Sequence, residues 1–168
     1  MDVLFIRHAI AEPRIDEGGV QPDDRLRALT GKGRRQMRRG AKGLRRVHPR
    51  IDVLVTSPLV RATQTAEIVS AAYGDIEVVT ASQLEPGAGA EVVAAWLRDL
   101  EPAGNVAIVG HEPDLGELAT WLLNAREDSI IELGKGGACL VGAPSGVPAG
   151  GATLEWLLTP RQLRRLGR

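Results

Sequence analysis

Three apolar runs in this chain each lead to a cation or an imidazole. Val3-Leu4-Phe5-Ile6 ends at Arg7-His8. Val53-Leu54-Val55 passes through Thr56-Ser57-Pro58 to Arg61. Val106-Ala107-Ile108-Val109 passes Gly110 to His111. Short runs that are apolar at every position read as strands buried on both faces of a sheet. The stretches between them carry helical spacing. Strands alternating with helices build a mostly parallel central sheet covered on both sides. The expected fold is therefore α/β, a three-layer α/β/α sandwich. The 168 residues suit a single domain, 1–168.

The first strand is read over 2–6. Residues 9–29 are polar and include Pro13, Gly18, Gly19 and Pro22, so they read as a long loop of the kind that tends to serve function. Thr30 suits the N-cap of a helix reaching about Val47, with Met37, Ala41, Leu44 and Val47 as its inner stripe; His48-Pro49 ends it. A second strand is expected over Asp52 to Thr56, with Ser57-Pro58 as an N-cap followed by proline at the first helical position. Ala62, Ala66 and Val69 mark the buried side of that helix. Further elements are a strand over Ile76–Val79, a helix over Ala90–Leu100, a strand over Asn105–Val109 and a helix opened by Pro113. Ala138–Val141 and Thr153–Leu158 read as a final hairpin with a long connection. Arg161, Arg164, Arg165 and Arg168 read as a solvated tail, and Trp96, Trp121 and Trp156 as core.

Twenty-one basic and 21 acidic residues cancel. That balance argues against a nucleic-acid partner, which usually demands a basic excess. The basic helix 34–46 is most simply a solvated face, with steering of an acidic phosphoprotein as the alternative. The lone Cys139 sits among apolar residues and reads as a buried thiol. No apolar run approaches the roughly 18 residues of a membrane span. The N-terminus lacks a basic stretch followed by a long apolar one. A cytoplasmic protein with no membrane partner is expected.

Ligands of parallel sheets bind at the carboxyl ends of strands. Arg7, His8, Arg61 and His111 all fall there. A neutral imidazole can attack phosphorus once the negative oxygens are neutralised, and the planar arginine fork matches two such oxygens. His111 would be a further donor. Losing one preorganised donor costs about 3 kcal/mol of barrier. Taken singly, each residue also fits a bland role: a loop pair, a solvated helix arginine, a strand-end histidine. Their joint placement at three strand ends favours a phosphoryl site. No cofactor and no metal are expected, since three scattered histidines without a carboxylate pattern make a poor metal site. Gly31-Lys32-Gly33 and Gly134-Lys135-Gly136-Gly137 lack nucleotide P-loop spacing.

Leu4-Phe5-Ile6-Arg7-His8-Ala9 resembles the opening motif of the histidine phosphatase superfamily, the phosphoglycerate-mutase-like enzymes. Thr56 to Ala66 resembles its second motif and Val109-Gly110-His111-Glu112-Pro113 its third. The small size, Thr30 with Gly33, and the turn 134–138 are similar to the SixA type, the phosphohistidine phosphatases. The resemblance implies His8 as phosphoryl acceptor, with Arg7, Arg61 and His111 as the phosphate pocket, and a two-step hydrolysis without metal. Ala9 stands where much of the superfamily has glycine, which implies ordinary backbone there and a tighter pocket. Many members also hold a glutamate that protonates the leaving group. Glu85 is the candidate by position, and a solvated turn carboxylate is its alternative; Glu112 stands beside His111 with no signal for its direction. A weak acid position favours phosphohistidine over a simple ester, because an imidazole leaves with less help than an alkoxide. The expected partner is a phosphorylated protein or a small phosphorylated substrate. A non-catalytic phosphate-binding module and a mutase are the weaker alternatives.

Overall fold

The computed structural model describes residues 1–15, 19, 23–126 and 128–168. These form a six-stranded sheet in the order β3-β2-β4-β1-β5-β6. The strands are β1 (Asp2–Arg7), β2 (Val53–Thr56), β3 (Val78–Thr80), β4 (Asn105–Gly110), β5 (Ala138–Gly142) and β6 (Thr153–Leu158). β1, β2, β3 and β4 run parallel, whereas β5 is antiparallel to β1 and to β6. The helices are α1 (Gly31–Val47), α2 (Val60–Ala72), α3 (Ala90–Leu97), α4 (Asp114–Asn124) and α5 (Pro160–Leu166). The α/β sandwich expected from the alternation of elements is present.

The continuous apolar runs have a direct cause. Side chains alternate across a strand, and both faces here are covered. Val3, Phe5, Val55, Val106 and Ile108 pack under α3 and α4. Leu4, Ile6, Leu54, Ala107 and Val109 pack under α1 and α2, joined by Leu163 of α5. Register then aligns the strand ends. Arg7 lies opposite Gly110, and Val109 lies opposite both Ile6 and Thr56. The residues that follow these strands, His8, Ser57 and His111, are therefore delivered to one edge.

Several boundaries differ from expectation. Ser57 is not a helix cap: α2 starts at Val60, its N-cap is Leu59, and no side chain caps it. The Ser57 hydroxyl instead lies 2.8 Å from Nε2 of His111. The strand expected over 76–79 forms at Val78–Thr80, and the helix expected to Leu100 gives way after Leu97 to 3-10 turns through Ala103. The basic C-terminus is not a solvated tail. Thr159 and Gln162 form a reciprocal capping box, Pro160 occupies the first turn, and Leu163 is fully buried against α1. The arginine count hid this short helix, whose single buried leucine gives no periodic stripe. Trp96, Trp121 and Trp156 are half-buried against the core, as expected. Within the loop read over 9–29, Gly18 and Pro22 lie outside the described residues. Its described part includes a bridge between Ala11 and Leu29 and a 3-10 turn at Asp24–Leu26. No described helix is long and apolar enough to cross a membrane.

Candidate active site

The chain leaving β1 is clamped from three sides. His8 N–H donates to the Gly110 carbonyl at 3.0 Å, and Arg7 N–H to the Gly137 carbonyl at 3.1 Å. Gly136 N–H donates to the carbonyls of both Arg7 and His8. Gly136 does this at a φ of +80°, a conformation that glycine tolerates far better than other residues. Ala9 N–H donates to Thr65 Oγ1 at 3.0 Å, and that hydroxyl donates to the Arg61 carbonyl at 2.7 Å. Thr65 thus ties the α2 helix that carries Arg61 to the residue after His8. Ala9 does not adopt positive φ, in line with the ordinary backbone expected there.

Beyond Ala9 the chain is pinned by the start of α1. Thr30 N–H and Oγ1 both donate to the Ile10 carbonyl, and Thr30 Oγ1 accepts from Gly33 N–H as the expected N-cap. The fit is close. A Cβ on Gly33 would stand 2.1 Å from the Ile10 oxygen.

Arg7, His8, Arg61 and His111 line one cavity of about 410 Å³. Glu12, Arg14, Asp24, Arg27, Glu112 and Lys135 line it too. The His8 and His111 rings stand 5.2 Å apart, tilted by 54°. His8 Nδ1 lies 2.7 Å from the Ala9 carbonyl. A carbonyl only accepts, so Nδ1 carries the proton and the neutral ring has its lone pair on Nε2. Burial, with a smaller push from Arg61, Arg7 and Lys135, lowers the His8 pKa to about 4 against the pull of the Ala9 hydrogen bond. Burial, with His8 and Arg61 adding to it, lowers His111 to about 3. Both rings are neutral at pH 7.

The two arginines are held differently. Arg7 Nη1 donates to the Leu133 carbonyl at 2.6 Å. Arg61 Nη1 donates to the Asp24 carbonyl at 2.6 Å, and Nη2 to Asp24 Oδ2 at 2.9 Å. Asp24 also accepts from Arg27 Nε at 2.7 Å. Three buried side-chain nitrogens make no hydrogen bond among the described residues: Arg7 Nε, Arg61 Nε and His111 Nδ1. All three belong to this cavity.

Glu85 does not line this cavity but a small adjoining hollow that it shares with His111. Its carboxylate makes a two-pronged pair with Arg25, at 2.6 and 3.3 Å. That pairing holds its pKa below the ordinary value, opposite to what a proton donor needs. Its neighbour Pro86 does line the cavity. Glu112 does face it, yet its Oε1 accepts from Leu133 N–H at 2.8 Å. Burial raises the Glu112 pKa, while hydrogen bonds from the Leu133 and Gly116 N–H groups oppose the rise. Asp24 and Lys135 were not singled out from the sequence. Asp24 sits in a polar loop with no periodic signal. Lys135 sat in a glycine-rich turn that spacing alone only excluded as a P-loop.

The arrangement can hold a tetrahedral oxyanion beside an unprotonated imidazole nitrogen. The comparisons agree in fold. A structure of the protein histidine phosphatase SixA complexed with tungstate superposes with a TM-score of 0.82 at 24% identity, covering 97% of this chain and 99% of that one. The alpha-ribazole phosphatase from Shigella flexneri gives 0.73 at 18% identity, covering 95% and 97%. An uncharacterized protein of Picosynechococcus sp. strain PCC 7002 is 34% identical over 148 residues, which is 87% of this chain and 86% of that protein. The family model for the histidine phosphatase superfamily (branch 1) matches residues 3–86, the half that contains Arg7, His8 and Arg61, and the chain belongs to that superfamily.

Proposed function

We propose that this protein is a phosphatase that hydrolyses phosphohistidine in proteins through a covalent intermediate on His8. The observation that carries the reading is the neutral His8 ring, its proton fixed on Nδ1 by Ala9, in a cavity with Arg7, Arg61 and His111. In the first step His8 Nε2 attacks phosphorus. The new N–P bond forms as the bond to the substrate imidazole breaks, and the released imidazole takes a proton from water. In the second step water attacks the phosphoryl group on His8. The O–P bond forms, the N–P bond breaks, and inorganic phosphate leaves with His8 neutral again. Arg7 and Arg61 neutralise the oxygens, and His111 donates to an oxygen as the phosphorus becomes five-coordinate.

The leaving group follows from the carboxylates. Glu85 is paired with Arg25, Asp24 with Arg27 and Arg61, and Glu112 with backbone N–H groups. None of these three is free to protonate an alkoxide, which leaves the exposed Glu12 as the remaining carboxylate among the described residues of the cavity wall. An imidazole leaving group has less need of that help. Similarity to the tungstate-bound SixA protein supports the same reading, since tungstate is a tetrahedral oxyanion like phosphate. A small phosphate ester is the second reading. It is favoured by the likeness to a ribazole phosphatase and by a cavity of about 410 Å³, large enough for a small molecule.

The test is turnover of a phosphohistidine peptide against a panel of sugar, nucleotide and aryl phosphates, with wild type and His8→Ala side by side. The expected result is preference for the peptide, an acid-labile phosphoryl label trapped on wild type, and no phosphate release by the variant. Turnover by His8→Ala would remove His8 as nucleophile. Preference for one ester would assign the second reading.

A further inference from the structure

The neutral total charge hides a strong separation. Residues 31–50 and 160–168 contain 13 of the 21 basic residues and none of the 21 acidic ones. These segments hold α1 and α5, which pack together on one face of the sheet. The helices of the opposite layer are the reverse: α3 carries Glu91, α4 carries Asp114 and Glu117, and neither has a basic residue.

This charge opposes helix stability. Arg34 and Arg38, Arg35 and Arg39, Arg38 and Lys42, and Lys42 and Arg46 are all like-charge pairs at i,i+4. The first turn of α1 has no acidic residue and carries Lys32, against the helix dipole. A merely solvated face would gain from interspersed glutamates. Lys32, Arg35, Arg38, Arg39 and Lys42 are exposed, and no ion pair among the described residues involves them.

The basic face connects to the His8 cavity. Lys135 lines that cavity and also a narrow hollow between α1 and the start of α5. Gln36 and Arg164 line the same hollow and, with Arg35 and Arg39, an open basic cavity of about 300 Å³. Positive charge thus runs from the phosphoryl site along α1, whose 17 residues extend about 25 Å at 1.5 Å per residue.

We propose that the α1–α5 face docks an acidic segment of the protein whose phosphoryl group enters the His8 cavity. The proposal rests on the phosphoprotein reading above and deepens it. The length of α1 matches about seven residues of extended chain. Single-stranded nucleic acid is less suited, because residues 31–50 and 160–168 contain no Trp, Tyr or Phe on which bases could stack. A lipid surface is less suited, because Met37, Ala41, Leu44 and Leu163 are buried in the core; Val47, expected on the inner stripe, and Leu166 are exposed, but both stand at the helix ends and form no apolar stripe to enter a bilayer.

The test uses two phosphohistidine peptides that differ only in a flank of six glutamates or six glutamines. At low salt, wild type is expected to show kcat/KM about tenfold higher on the glutamate peptide, an advantage that shrinks at high salt. Arg35→Glu with Arg39→Glu is expected to abolish that advantage while the rate on p-nitrophenyl phosphate stays unchanged. Equal rates on both peptides in wild type, or an advantage that survives in the double variant, would overturn the docking face. If neither peptide is hydrolysed, the phosphohistidine reading fails, and peptide binding to His8→Ala by fluorescence anisotropy decides docking separately. Tighter binding of the glutamate peptide, lost on charge reversal, supports the face; equal binding overturns it. Stronger binding to a 20-nucleotide strand or to phosphatidylserine vesicles, or a dimer abolished by the charge reversal, would each assign the face to another occupant and overturn the proposal.

Discussion

Arg7 and Glu112 are joined through a single residue, Leu133. The Leu133 carbonyl accepts from Arg7 Nη1 at 2.6 Å, and the Leu133 N–H donates to Glu112 Oε1 at 2.8 Å. Glu112 also accepts from Gly116 N–H in the first turn of α4. The carboxylate therefore fixes the segment that fixes the guanidinium. Glu112→Ala is expected to lower kcat/KM on an aryl phosphate about tenfold by loosening Arg7, since small misplacements of a positioning group can cost up to about 10²-fold. Weakened inhibition by inorganic phosphate should accompany the loss, and Glu112→Gln, which keeps one acceptor, should recover part of both. Unchanged phosphate inhibition in Glu112→Ala would separate the two residues.

The depressed histidines predict an unusual pH profile. In its proposed role as nucleophile His8 must be neutral to attack, and its pKa is about 4 rather than 6.5. The acid limb of kcat/KM on an aryl phosphate is therefore expected well below pH 6. The same shift affects stability. In the unfolded chain both rings take up a proton below about pH 6.5, while the folded protein resists until about pH 4 for His8 and about 3 for His111. The unfolded state binds more protons in that window, so stability is full above pH 6.5 and falls as the pH drops towards 4. The loss is on the order of 3 kcal/mol for His8 alone. Denaturant midpoints measured from pH 7.5 to 4.5 should show the decline, and His8→Ala should make it shallower while the His111 share remains.

Asp24 holds both terminal nitrogens of Arg61 with its carbonyl and carboxylate. A phosphoryl oxygen that binds Arg61 must compete with that carboxylate. Asp24→Ala is expected to tighten inhibition by inorganic phosphate several-fold, and to slow turnover if product release becomes limiting. Titration calorimetry with phosphate checks the affinity directly. Weaker phosphate binding in the variant would mean that Asp24 chiefly holds Arg61 in place.

The sheet and the four phosphoryl-binding candidates were legible because each depends on local order. An apolar run followed by a charged residue states both the strand and where it ends. What escaped the sequence depends on distant contacts. Ser57 looks like a cap by every local rule, yet its hydroxyl is turned to His111, more than 50 residues away in sequence. Glu85 stands after a strand as an acid would, but Arg25 from another loop claims it. Helix α5 is hidden because one buried leucine, Leu163, and a capping box suffice when α1 supplies the opposing surface. The charge separation was visible in the numbers, and only the packing of α1 against α5 turned it into a surface.

Gly33 links the stability of α1 to the position of His8. Its N–H donates to the Thr30 cap hydroxyl, and its α-carbon packs so closely on the chain after His8 that a Cβ would stand 2.1 Å from the Ile10 oxygen and 3.2 Å from the Ile10 nitrogen. Backbone cannot yield as a flexible side chain does. Gly33→Ala must push α1 away from residues 9–10 or drag those residues along, although alanine is the better helix former. Overpacking of this kind costs about 1–3 kcal/mol, which for a chain of this size lowers Tm by roughly 2–12 °C. Because Ile10 is two residues from His8, the proposed nucleophile, the activity loss should exceed that of an equally destabilising change elsewhere. Leu163→Ala at the α5 contact, expected to cost about 2–5 kcal/mol, is the control. Compared below the melting range of both, Gly33→Ala should be the less active of the two. A fully active Gly33→Ala protein would show that the α1 start does not govern the geometry of His8.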